Sequence, residues 1–102
     1  MAYQSAFTAL CDPTRRAIFE RVARAPSPVG TLAKDLPVSR PAVSQHLKIL
    51  ADAGLVTARA EGTRHIYTAN PESLKELRDW LDTLWDDALA AFAEAAEKEP
   101  KA

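Results

Sequence analysis

The stretch from Ser39 to Val56 constrains this chain more than any other, because it specifies a helix together with its start, its stop and two unlike faces. Val43, Leu47 and Leu50 recur at helical spacing and predict a face turned to a core. Arg40, Ser44, Gln45 and Lys48 fall on the other side, with no apolar residue among them. Ser39 is placed to cap the first turn, Pro41 is tolerated inside that turn, and Gly54 is placed to end the helix. A helix over 39–53 that keeps its apolar face inward and offers Arg, Ser, Gln and Lys outward suits the major groove of DNA. The same pattern also describes an ordinary solvated helix, so the neighbouring segments decide between the two.

Three further positions pair a capping side chain with a following proline: Asp12-Pro13, Ser27-Pro28 and Asn70-Pro71. Each predicts a helix start. The first opens a helix to about residue 24, with Ala17, Ile18 and Val22 inward. The second opens a short helix to about Leu36, carrying Val29, Leu32 and Ala33. A break at Pro37-Val38 then leads into 39–53, and two helices joined by so short a turn make a helix-turn-helix. After Gly54 the period changes. Residues 55–59 and 64–68 are rich in β-branched and aromatic side chains, and Ala60-Glu61-Gly62-Thr63 between them predicts a hairpin turn. This pair of strands, spanning 55–69, reads as a wing whose tip is flanked by Arg59 and Arg64, placed to meet phosphates or a minor groove.

The net charge of −1 over 102 residues hides an asymmetry. Residues 1–70 hold nine Lys/Arg against five Asp/Glu, whereas residues 71–102 hold four against nine. A polyanion is thus met by the first two-thirds and repelled by the last third. Apolar content of 47% is that of a folded chain, and the length supports one domain with a marginal core. No apolar run approaches a membrane span and no signal segment opens the chain, so a cytoplasmic protein without membrane contact is expected. Cys11 is the only cysteine, which excludes an internal disulfide; it reads as a small, partly buried apolar residue.

The final helix, predicted over 71–97, carries Leu74, Leu77, Leu81, Leu84, Ala88 and Phe92 as a stripe, widened by Trp80, Trp85, Leu89 and Ala91. That is more apolar surface than a small domain covers by itself. With Tyr3, Phe7 and Leu10 of a first helix over 2–10, it predicts a homodimer interface formed by Tyr3, Phe7, Leu74, Leu77, Trp80, Leu81, Leu84, Trp85, Ala88 and Phe92. The expected fold is mainly α with a two-stranded β-wing, in the order α-α-α-α-β-β-α. Residues 12–69 form the DNA-binding core of a single winged-helix domain.

This order of elements, together with Asp12-Pro-Thr-Arg-Arg-Ala-Ile, Ser44-Gln-His-Leu-Lys-Ile-Leu and Ala53-Gly-Leu-Val, resembles the ArsR/SmtB winged-helix transcriptional regulators over about residues 5–95. The resemblance implies a dimeric bacterial repressor that binds a pseudo-palindromic operator in double-stranded DNA. Carried over by position, Ser39, Arg40, Pro41, Ser44, Gln45, His46 and Lys48 match the DNA-reading helix, and Arg59 and Arg64 match the wing. By chemistry, Arg40 and Gln45 suit guanine and adenine edges, while Ser39, Ser44 and Lys48 suit phosphates. His46 sits at the edge of the apolar face, where packing and phosphate contact are equally open. Arg15 and Arg16 stand either near the DNA backbone or on a solvated face.

Where many members carry a metal-binding cysteine pair, this chain has Thr31-Leu-Ala-Lys-Asp-Leu36, and residues 71–102 contain no histidine. No metal site or cofactor is therefore expected. The effector is left open between an apolar ligand near Trp80 and Trp85, modification of Cys11, a partner protein, or none. A winged-helix module binding protein rather than DNA is the second reading. The chain shows no Gly-rich phosphate loop, nucleophile elbow or clustered His/Cys/Asp set, so an enzyme is not expected.

Overall fold

The computed structural model describes residues 2–98, with side chains from Gln4 onward. Its elements run α1 (Ala2–Leu10), α2 (Pro13–Arg24), β1 (Ser27–Pro28), α3 (Val29–Asp35), α4 (Arg40–Asp52), β2 (Val56–Glu61), β3 (Arg64–Ala69) and α5 (Pro71–Lys98). Three of the anticipated caps form, among them Asp12, whose Oδ2 accepts the Arg15 backbone N–H at 2.8 Å, and Ser39, whose Oγ accepts that of Ala42 at 3.3 Å. Asn70 Oδ1 likewise accepts the N–H of Glu72 at 3.1 Å.

Ser27-Pro28 departs from expectation. Rather than capping α3, the two residues are extended and add a third strand to the wing, with Ser27 opposite Tyr67 and Pro28 opposite Ile66. The Ser27 hydroxyl donates to the Ala25 carbonyl at 2.8 Å, and α3 begins one residue later with no side-chain cap. The reason is local: a residue before proline is pushed toward extended backbone, and proline itself is accommodated at a strand edge. The sheet is antiparallel in the order β1-β3-β2. Its hairpin is tighter than the sequence suggests, since Glu61 pairs with Arg64 and only Gly62-Thr63 form the turn. Gly62 has φ of 64° while Thr63 stays at negative φ, the pattern of a two-residue type II′ hairpin.

The core gathers one face of every helix. Ala6 and Ala9 of α1, Ile18, Phe19 and Val22 of α2, Leu32 of α3, Val43, Leu47 and Leu50 of α4, then Leu55, Val56 and Leu77, form one buried cluster. The end of α4 is locked by a Schellman motif. Leu55 N–H donates to Leu50 C=O and Gly54 N–H to Ala51 C=O, both at 2.9 Å, with Gly54 at φ of 80°. Asn70 and Ser73, at the start of α5, both donate to the Gly54 carbonyl, which ties the last helix to the end of α4.

Beyond Trp80 the last helix leaves this body. Its 28 residues make a rod of about 42 Å. The radius of gyration is accordingly 18.5 Å, against about 13 Å for a compact chain of this length. No described helix is long and apolar enough to cross a membrane.

Candidate nucleic-acid interface

Helix α4 presents its two faces as the sequence indicates. Val43, Leu47 and Leu50 are fully buried, whereas Arg40, Pro41, Ser44, Gln45 and Lys48 are exposed, as is the cap residue Ser39. Burying the apolar side against α2 and α3 fixes the helix axis, so the exposed polar edge is held on a rigid support.

That edge borders a cleft of about 580 Å³ between α3, the start of α4 and the wing, lined among others by Lys34, Arg40, Ser44, Arg64 and His65. The structure thus brings Arg40 and Ser44 together with Arg64, which lies 20 or more positions further along the chain. Gly30 belongs to the same wall, and the Arg40 guanidinium lies 3.8 Å from where a β-carbon would stand there. Lys34 and His65 were not anticipated from sequence. One sits in a short helix read for its lack of cysteine, the other in a strand read for its wing arginines, and only folding brings them face to face.

Two of the anticipated contact residues take other positions. Arg59 does not line the cleft; its guanidinium is 3.5 Å from Glu61 on the exposed strand β2, a consequence of side chains two apart sharing a strand face. His46 is half-buried and turned toward α2, where its Nδ1 lies 3.4 Å from Arg15 Nη1. Between the two readings of His46 left open by the sequence, the geometry is that of a packed residue. Arg15, half-buried, and Arg16, exposed, both reach the end of α1: Arg15 Nε donates to Ala9 C=O at 2.6 Å and Arg16 Nη1 to Leu10 C=O at 3.1 Å. Cations are well placed on such free C-terminal carbonyls. Asp12 completes this corner. Its carboxyl is held below the ordinary carboxylate value, first by the Arg15 backbone hydrogen bond and then by the charges of Arg15 and His46, against an opposing desolvation effect.

The second candidate surface lies on α5. Leu74, Leu81, Leu84, Trp85, Leu89 and Phe92 are exposed, with Trp85 at 64% and Phe92 at 74%, and Ala88 is exposed between them. Leu77 is a correction to the anticipated interface: at 8% exposure it belongs to the chain's own core, because α1 packs over the start of α5. Phe7 and Trp80 are half-buried and meet edge to face, with centroids 4.6 Å apart, so each is partly engaged within the chain. The Tyr3 side chain lies outside the described residues. Cys11 is exposed rather than partly buried, since it falls in the turn after α1 where neither helix covers it. Among the described residues no three of His, Cys, Asp and Glu are grouped to hold a metal ion.

Residues 10–59 match the family model described as a helix-turn-helix domain. The chain is 54% identical to the HTH-type transcriptional regulator Rv2034 of Mycobacterium tuberculosis, over 92% of this chain and 88% of that protein. Among solved structures, an ArsR-like transcriptional regulator from Rhodococcus sp. RHA1 superimposes with a TM-score of 0.79 at 36% identity, covering 96% of this chain and 95% of that one. A homodimeric winged helix-turn-helix DNA-binding domain from Mycobacterium bovis, a possible ArsR-family regulator, superimposes at 0.68 with 27% identity, over 86% and 82% of the two chains. With the helix-turn-helix and the wing both in place, this chain belongs to the ArsR family of winged helix-turn-helix transcriptional regulators.

Proposed function

We propose that this protein is a cytoplasmic, homodimeric repressor that reads a pseudo-palindromic operator with α4 and steadies it with the wing. The observation that carries this reading is the exposed row Arg40, Ser44, Gln45 and Lys48 on a helix whose Val43, Leu47 and Leu50 are fully buried. Such a helix is free to enter a major groove without losing core contacts. Arg40 and Gln45 reach base edges through bidentate hydrogen bonds, and Ser39, Ser44 and Lys48 set register on phosphates. Pro41 shapes the first turn, and Arg64 meets the flanking backbone. The uncovered apolar length of α5 supports a second copy packed on it, which sets two α4 helices about one helical turn of DNA apart. We assign the protein neither catalysis nor metal sensing.

The test uses duplexes tiled across the DNA upstream of its own gene, with an unrelated duplex for comparison. Arg40→Ala and Gln45→Ala lower the preference for the operator by about 1–3 kcal/mol each, measured by fluorescence anisotropy. Lys48→Ala weakens both duplexes alike and reduces the salt slope by about one per chain. Wild-type affinity in all three variants would show that another face meets DNA.

A further inference from the structure

We infer that the cleft between α3, α4 and β3 holds phosphate groups of the bound DNA, and that His65 makes this binding proton-linked. The inference rests on the DNA-binding reading above and adds to it two residues, Lys34 and His65, and a dependence on pH.

Three elements converge on the cleft with nitrogen-bearing side chains: Lys34 from α3, Arg40 from α4, and Arg64 with His65 from β3. Hydroxyls of Thr31, Ser44 and Thr63 and the Tyr67 ring complete this part of the wall, and none of the lining residues is a carboxylate. The nearby acids are occupied elsewhere. Glu61 is held by Arg59 at 3.5 Å, and Asp35, adjacent to Lys34, is held by Arg21 at 2.9 Å. Across the hairpin His65 stands opposite Ala60, and β1 adds Pro28, so neither strand brings a charge of its own to the imidazole. A cleft with this lining suits a polyanion, and it opens directly beside the row of residues on α4.

Among the side-chain types in the set, only an imidazole exchanges its proton near neutral pH. A phosphate placed beside it favours the imidazolium, which then donates to phosphate oxygen from a ring nitrogen. The complex therefore takes up a proton from solvent at each His65, and each proton adds one cation to the contact with the DNA backbone. Because phosphates are the same in every sequence, the effect falls equally on operator and unrelated DNA. His46, half-buried beside Arg15, is not among the residues that line the cleft.

Titration of both duplexes with the full-length protein, at about pH 6 and about pH 8 over a range of salt, tests this. Wild type binds about tenfold more tightly at the lower pH, with a salt slope steeper by about one per chain. His65→Gln loses that pH response, His65→Lys binds tightly at both pH values, and His46→Gln keeps the response. Lys34→Gln weakens both duplexes and lowers the salt slope by about one per chain at either pH. A pH response surviving in His65→Gln, or wild-type binding that is tight but independent of pH, overturns the proton linkage and leaves the DNA-binding reading standing. Absence of binding by wild type at low salt overturns both.

Discussion

Helices α4 and α5 are both amphipathic, yet they leave opposite faces uncovered. In α4 the apolar residues Val43, Leu47 and Leu50 are fully buried and the polar row is open. In α5 the apolar residues Leu81, Trp85 and Phe92 are 52%, 64% and 74% exposed. The first arrangement suits a polar, charged partner that requires no help in folding the domain. The second suits a partner that removes apolar surface from water, and its acidic composition disfavours DNA. One helix type thus offers two kinds of surface, depending on whether the chain's own body reaches it.

The sharpest way to break this comparison is to cut the apolar face of each helix. Leu47→Ala empties a site in the closed core and costs about 2–5 kcal/mol in chemical denaturation. Trp85→Ala leaves no cavity within one chain. It instead raises the dimer dissociation constant by about 30-fold in analytical ultracentrifugation, while the stability of the separated monomer changes by less than about 0.5 kcal/mol. If Trp85→Ala destabilised the monomer as Leu47→Ala does, α5 would fold back on its own domain and the contrast would fail.

A smaller effect sharpens the comparison at the corner where α1, α2 and α4 meet. Asp12 has a folded-state pKa below its unfolded value, so its contribution to stability is present above the unfolded value and is lost as pH falls through the folded one. Asp12→Asn keeps the cap but not the titration. The variant is therefore expected to flatten the acid end of the stability curve followed by circular dichroism, and to lose at neutral pH only the part that the charges of Arg15 and His46 supply. An identical acid profile in both proteins would place the effect elsewhere.

Legibility in the sequence followed the range of the interactions. Asp12, Ser39 and Asn70 act within three residues of themselves, and Gly54 within four, so their roles were readable from neighbouring letters. Ser27-Pro28 differs, because a capping serine and an extended residue before proline have the same local sequence, and only pairing with β3 separates them. His46 lay at a boundary of the periodic pattern, and Arg15, 31 positions away, gave it its place.

Periodicity and capping are local properties of the chain, and they carry the helices, the hairpin and the row Arg40, Ser44, Gln45 and Lys48, while the resemblance of the motifs carries the family. Tertiary structure alone decided that Arg40 and Arg64 share one cleft with Lys34 and His65, that Arg59 turns to Glu61, and that Leu77 is buried while Trp85 is not. These outcomes depend on how far each helix extends past its neighbours and on which strand edge remains open. Such quantities are set by packing between segments distant in the chain, and no spacing within a single segment records them.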